Sequence, residues 1–114
     1  MTKLAEYLET RDKIIRPALE ELKKEYKSLG YHCYISTQKS QGAISFSRGR
    51  ANYLKDTVSI FLADGGWVIF NKLDVLYSSR LHLDEITRAQ VKKKIREAFT
   101  SRNSFTHGYN NSNS

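Results

Sequence analysis

The segment TVSIFLADGGWVIFNK, residues 57–72, constrains the fold more than any other part of the chain. β-Branched and aromatic residues alternate with other residues on both sides of Asp64-Gly65-Gly66, and they suit the pleated surface of a strand. The two glycines supply the positive φ angles that a tight turn requires. The segment therefore predicts a β-hairpin.

The length of the turn determines which large side chains share a face of this hairpin. With a two-residue turn, one face carries Ile60, Leu62, Trp67 and Ile69. The other face then carries Phe61, Val68 and Phe70. A three-residue turn exchanges the sides of Trp67 and Val68. Either turn leaves large apolar side chains pointing away from the first layer. We expect a helix, another sheet or a partner to cover them.

Apolar residues recur at helical spacing through the first thirty residues. The pattern predicts one long amphipathic helix or two shorter ones, with an apolar stripe formed by Leu4, Leu8, Ile15, Leu19, Leu22, Tyr26 and Leu29. Pro17 has no backbone N–H and crowds the carbonyl four residues earlier, so we expect a break or kink near residues 10–16.

An unbroken helix over residues 3–29 would be about 40 Å long at 1.5 Å per residue. Its first turns would project from a domain of this size. Leu4, Leu8 and Ile15 are then a candidate surface for a homodimer or for partner docking. If the helix breaks at Pro17, the first segment can instead fold back onto the sheet, and no partner is needed.

The middle of the chain alternates apolar and polar residues in several short runs. Tyr31–Thr37 and residues 43–47 predict two strands, the hairpin adds two more, and residues 75–77 are a further extension at an edge. Short connections favour an antiparallel meander. The predicted class is α+β, a four-stranded antiparallel sheet between a long N-terminal helix and a C-terminal helix.

The start of the last helix has a strong local signal. Thr87 and Gln90 have the spacing of a capping box, and the competing start is Asp84. The apolar stripe that follows consists of Val91, Ile95, Ala98 and Phe99. We expect residues 1–102 to form one domain and the polar residues 103–114 to form a flexible tail.

Motifs for catalysis or for metal binding are lacking in the sequence. The single cysteine, Cys33, excludes an internal disulfide and a cysteine-based zinc site, and its place in a strand pattern predicts burial. The three histidines are scattered, and no glycine-rich phosphate loop occurs. Without an apolar run long enough to span a bilayer, we expect a cytoplasmic protein with no cofactor, no metal and no membrane contact.

The positive charge is concentrated in the last third of the chain. Residues 75–114 contain seven Lys or Arg and three acids, and so carry +4 of the net charge of +7. The last helix spaces Arg88, Lys92 and Arg96 at i, i+4 and i+8, with Lys93 and Lys94 beside them. A basic helix face of this kind can bind phosphate or can simply be solvated.

A second basic segment and a mixed helix complete the charge pattern. The loop after the second strand contains three cations around Tyr53, namely Arg48, Arg50 and Lys55. In the first helix, acids and bases interleave, which predicts surface ion pairs such as Glu20 with Lys23 or Lys24.

These features favour a small non-enzymatic protein that binds nucleic acid through the last helix and the arginine loop. The alternative is a protein-interaction module, such as an inhibitor, immunity factor or adaptor, that binds an acidic partner. A third hypothesis is an acid–base ribonuclease using His32 or His82 with Arg48, Arg50 and Tyr53.

Overall fold

The computed structural model describes residues 2–38, 42–50 and 56–101. Five strands form one antiparallel sheet in chain order: β1 (His32–Thr37), β2 (Ile44–Gly49), β3 (Asp56–Ala63), β4 (Trp67–Lys72) and β5 (Tyr77–His82). The helices are α1 (Lys3–Thr10), α2 (Arg16–Ser28) and α3 (Arg88–Thr100). A single buried core joins the helices to one face of the sheet.

The predicted α+β order of helix, antiparallel sheet and helix is confirmed, but the prediction of four strands is wrong. The fifth strand, β5, pairs with β4 along its whole length. Tyr77, Ser79 and Leu81 point toward the helices, yet the segment YSSRLH has too little apolar content to give a clear strand signal. An edge strand needs fewer buried side chains than a central one, because it has a neighbour on one side only.

The N-terminal helix continues through Pro17. A π-helical turn over Arg11–Ile15 joins α1 to α2, and the Arg16 N–H donates to the carbonyl of Arg11, five residues earlier. Pro17 has no N–H to donate to the carbonyl four residues before it. The wider π turn accommodates this irregularity at the predicted place, without a break.

The first turns of this helix dock against the end of the sheet rather than projecting. Tyr7 is fully buried, and its hydroxyl donates to the carbonyl of Gly42 at 3.0 Å and lies 3.3 Å from the carbonyl of Ile60. Gly42 has a φ of +70°, and a Cβ there would lie 2.7 Å from the Leu8 side chain. The positive φ favours glycine at this position, and the missing Cβ leaves room for the Leu8 side chain.

The hairpin is confirmed, and its turn is the three-residue alternative. Ala63 pairs with Trp67 across Asp64–Gly66, and Gly65 and Gly66 both have positive φ. The two-residue arrangement is wrong. The side chains that face the helices are Ile60, Leu62, Val68 and Phe70, and those on the opposite face are Phe61, Trp67 and Ile69. Ile69 and Phe70 thus change sides together with Trp67 and Val68, which corrects the predicted exchange of two residues only.

The cap of α3 is confirmed at Thr87, and the Asp84 start is wrong. The Thr87 hydroxyl accepts from the Gln90 amide at 3.2 Å. Asp84 instead lies in the turn that follows β5. The cap fixes where α3 begins, and its apolar stripe then reaches the core through Val91, Ile95, Ala98 and Phe99.

Cys33 is buried, as predicted, and burial raises the pKa of its thiol. Tyr53, Lys55 and the tail over residues 103–114 lie outside the described residues. Across the ranges that the structure describes, no helix is long and apolar enough to cross a membrane.

Candidate functional site

The basic stripe of α3 faces acids on α2. Lys92 Nζ lies 2.8 Å from Glu21 Oε1, Arg88 donates to Glu21 Oε2 at 3.1 Å, and Arg96 donates to Glu25 Oε1 at 2.6 Å. The hydrogen bond from Lys92 is the main cause that lowers the pKa of Glu21. Three cations against two carboxylates leave a local charge of +1, so most of the predicted phosphate-binding charge is neutralised within the protein.

The remaining two lysines of this predicted site differ from each other. Lys94 Nζ lies 3.9 Å from Glu97. Lys93 is exposed and forms no ion pair with any acid of the described residues. Thus α3 presents one unpaired lysine rather than a continuous basic face.

Arg48 belongs to the interior rather than to an accessible loop. Its guanidinium carbon lies 4.3 Å from the ring centre of Phe99, 4.5 Å from that of Tyr31 and 4.9 Å from that of Tyr26. Its Nε is 3.5 Å from Asp56 Oδ2. Cation–π contacts on three rings favour a role in joining the sheet to the helices.

Arg50 is exposed beside this cluster. Its guanidinium carbon lies 4.2 Å from the ring centre of Tyr31. The hydrogen bond from Arg50 lowers the pKa of Tyr31, and the charge of Arg48 acts in the same direction. Arg50 is therefore the one cation of the predicted loop site that the structure both describes and leaves at the surface.

The three residues of the predicted self-association surface do not share one exposed face. Ile15 is fully buried, Leu8 packs partly against the core, and Leu4 is 46% exposed. Self-association through this segment stays a prediction, and Leu4 is the member that is accessible to a second molecule.

The histidines of the ribonuclease hypothesis lie on opposite edges of the sheet. His32 is in β1 and His82 in β5, two strands that are separated by four strand spacings or about 19 Å, and the histidines lie on opposite sides of the row from Ser36 to Ser78. His82 Nε2 lies 2.9 Å from the carbonyl oxygen of Gly65, and His82 Nδ1 accepts a hydrogen bond from the Asp84 backbone N–H at 3.2 Å. Among the described residues, no group of three His, Cys, Asp or Glu side chains converges on a possible metal position.

None of the described helices packs on the second face of the sheet, which we call the helix-free face. A row of short polar side chains crosses all five strands on this face. The members of this polar row pair in register from β1 to β5: Ser36, Ser45, Ser59, Asn71 and Ser78.

Larger side chains border the polar row. On one side Phe61, Ile69 and Arg80 pair across β3, β4 and β5, followed by Trp67. The Arg80 guanidinium carbon lies 4.2 Å from the centre of a Trp67 ring. On the other side Tyr34 is 51% exposed. The face thus combines hydroxyl groups, aromatic rings and a stacked arginine.

Among the residues that the structure describes, no outward-pointing strand residue on the helix-free face is an acid. Asp56 belongs to β3 but points to the helix side, where it lies 3.3 Å from the buried Lys72 Nζ. Asp64 and Asp84 lie in turns beyond the row of Trp67 and His82. A polyanion could cross the centre of this face without meeting a carboxylate.

The edge of the sheet at β1 carries cations from α2. Lys23 and Lys27 line a cavity of about 240 Å³ together with Tyr31, His32, Cys33 and Tyr34. Neither lysine forms an ion pair with an acid of the described ranges. The predicted pairs of Glu20 with Lys23 or Lys24 are absent, which is a correction to the expected pairing. We call Lys23 and Lys27 the basic flank of α2.

A second cavity, of about 420 Å³, opens on the helix-free face across β1, β2 and β3. Short side chains of the polar row form its floor, and Phe61 forms one wall. The lining residues are Ser36, Gln38, Ala43, Ile44, Ser45, Thr57, Ser59 and Phe61.

The helix-free face and the basic flank are not recognisable as a site from the sequence patterns alone. The signal available was the polar half of each strand alternation, which contains Ser, Thr and Asn but no acid. Whether these positions align across five strands depends on the register of four ladders. That register cannot be read from any one strand.

No model of a known protein family matches the chain, and comparisons with curated proteins and with solved structures give no significant match.

Proposed function

We propose that the protein binds single-stranded nucleic acid on the helix-free face, with the basic flank of α2 holding phosphates at one edge. The observation that carries the proposal is the distribution of charge. The helix-free face has no acid among its outward strand residues, while the stripe of Arg88, Lys92 and Arg96 is largely neutralised by Glu21 and Glu25.

Aromatic side chains supply the base contacts in this proposal. Proteins that bind single strands stack unpaired bases on aromatic rings or on arginine planes, over sheets that leave one face open. Tyr34 and Phe61 lie on opposite sides of the polar row. Arg80, which already stacks on Trp67, extends this set to β5.

Cations at two edges supply the phosphate contacts. Lys23, Lys27 and Arg50 lie near β1, and Arg80 lies in β5. The polar row between them spans four strand spacings, about 19 Å. A strand lying along the row would reach both groups of cations while its bases contact the aromatic rings.

The arrangement favours a single strand over a duplex. Bases in a duplex are stacked and paired, so that side chains contact mostly phosphates and groove edges. The aromatic residues of the helix-free face would then have no unpaired base to stack on. A duplex would also need a longer line of cations than the four that the described face and its edge provide.

An acidic protein partner is the second candidate, favoured by the free edge of β1. No described strand pairs with that edge, and the basic flank lies beside it. An extended acidic peptide could add there as a further strand. The aromatic residues of the helix-free face would then contribute little to binding.

Fluorescence anisotropy with labelled single-stranded RNA and DNA at about 50 and 200 mM salt tests the proposal. We expect binding that weakens with salt. The double variant Lys23→Gln, Lys27→Gln should weaken it and reduce the slope of log affinity against log salt by about 1.4, or about 0.7 per contact.

The matched control is Lys93→Gln, Lys94→Gln, which removes the same charge from α3 and should leave affinity nearly unchanged. Loss of binding in this control alone would contradict the proposed surface and restore the predicted site on α3. Absence of nucleic-acid binding, with salt-dependent binding of a polyglutamate peptide, would establish the second candidate instead.

A further inference from the structure

The cavity of about 420 Å³ on the helix-free face has a chemistry different from that of the cationic edge. None of its lining residues is charged, so it offers no counter-charge to a phosphate. Its volume lies within the range of roughly 300–1,000 Å³ that is typical of small-ligand sites. The cavity therefore suits a neutral polar group with an apolar face.

The hydroxyl groups on its floor are available to a ligand. Those of Ser36, Ser45 and Ser59 hydrogen-bond to no other group among the described residues, although the three residues are neighbours in the polar row. The hydroxyls of Ser47 and Thr57, in the neighbouring row of the same face, hydrogen-bond to each other at 2.8 Å. Each serine hydroxyl can donate one hydrogen bond and accept others.

Phe61 and Gln38 border these hydroxyls on the same side of the polar row, with Ala43 between them in register. A phenyl ring stacks on the π-face of any base, while a carboxamide offers a donor and an acceptor side by side. Such a pair suits a planar ring with polar edges. The lining thus separates stacking, which accepts every base, from hydrogen bonding, which distinguishes bases.

We propose that this cavity holds one nucleobase of the bound strand and sets the base preference of the protein. Phe61 stacks on the base, and the hydroxyls of Ser36, Ser45 and Ser59 with the Gln38 amide bind its edge. This inference rests on the proposed function. It adds a base-selective position to a surface whose phosphate and stacking contacts are otherwise indifferent to sequence.

The test compares the affinities of the wild type for four single-stranded homopolymers with those of two variants. Ser45→Leu fills the cavity from its centre, and Ser45→Ala removes one hydroxyl without adding volume. Ser28→Leu is the control, because Ser28 is exposed at the end of α2 and away from the face.

We expect the wild type to bind its best homopolymer about ten-fold more tightly than its worst, since one good base contact gives discrimination of this order. Ser45→Leu should remove this spread of affinities among the four homopolymers while keeping salt-dependent binding, and Ser45→Ala should reduce the spread. Ser28→Leu should retain it.

Three outcomes would overturn the inference, and they can be distinguished from one another. A spread that survives Ser45→Leu, or a wild type that binds all four homopolymers equally, removes the base site but leaves the proposed function. A wild type that binds none of the four removes both. If Ser45→Leu fails to fold, the spread measured with Ser45→Ala decides.

Discussion

The two faces of the sheet carry side chains of opposite character on the same five strands. On the helix-covered face, Ile60, Val68 and Phe70 are fully buried against the helices. On the helix-free face, the same strands carry short polar side chains and half-buried rings, such as Ser59 and Phe61. We infer that one face provides stability and the other provides binding.

The two groups of cations differ in the same way. Those of α3 face carboxylates of α2, and so contribute to packing two helices together. Lys23 and Lys27 lie on the other flank of α2, beside the edge of β1, where no described acid pairs with them. The position of the counter-charges, rather than the number of cations, determines where a polyanion can bind.

The largest expected effect separates the two faces by substituting one phenylalanine on each. Phe70→Ala should lower the free energy of unfolding by about 3 to 5 kcal/mol, because it empties a fully buried site. Phe61→Ala should cost clearly less stability, because the ring is only half-buried, but should weaken nucleic-acid binding. Urea denaturation and anisotropy on the same two samples measure both effects. Equal losses of stability in Phe70→Ala and Phe61→Ala would contradict the difference assigned to the two faces.

A smaller effect is expected where α1 docks on the helix-covered side. Tyr7→Phe removes the hydroxyl that donates to the Gly42 carbonyl, and should cost about 1 to 3 kcal/mol. Nucleic-acid affinity should not change. A loss of affinity without a loss of stability would show that this docking contact belongs to the binding surface.

Tyr7 also predicts how stability depends on alkaline pH. Burial raises its pKa from the ordinary 10.0 to about 12, so that the folded state favours the neutral phenol. Its contribution is complete below pH 10.0 and is lost as the pH rises toward about 12. Burial also raises the pKa of Tyr77 to about 12. Denaturation curves across this range should show a shallower decline for Tyr7→Phe.

The smallest expected effect on stability tests the neutralisation of α3. Glu21→Gln with Glu25→Gln removes both counter-charges, and should change the melting temperature little because exposed ion pairs contribute little. The local charge rises from +1 to +3, so α3 should gain salt-dependent affinity for single strands. Glu20→Gln is the control, as an exposed acid of α2 outside these pairs. Equal affinity gains in the two variants would contradict the role assigned to pairing.

Features that depend on neighbouring residues could be predicted from the sequence. The hairpin at Asp64–Gly66, the Thr87 cap and the irregularity before Pro17 each result from residues within a few positions of one another. Strand β5 was missed because its inward residues are Tyr77, Ser79 and Leu81, a weaker apolar set than the hairpin has.

The candidate site depends on contacts that are distant in sequence. Arg88 and its partner Glu21 are 67 residues apart, so a basic helix in the sequence gives no sign of its neutralisation. The polar row requires four ladders in one register, from Ser36 to Ser78. Composition correctly indicated a basic protein but could not indicate which cations lack counter-charges.

NMR mapping of a bound single strand tests most directly the claim that the two faces divide stability from binding. A ¹⁵N-labelled sample would be titrated with a short single-stranded RNA, and the amide shifts compared between the polar row and α3. The account predicts the largest changes at Ser45, Ser59, Phe61 and Arg80, with small changes along residues 88–100. Changes concentrated on α3, with the polar row unaffected, would contradict it.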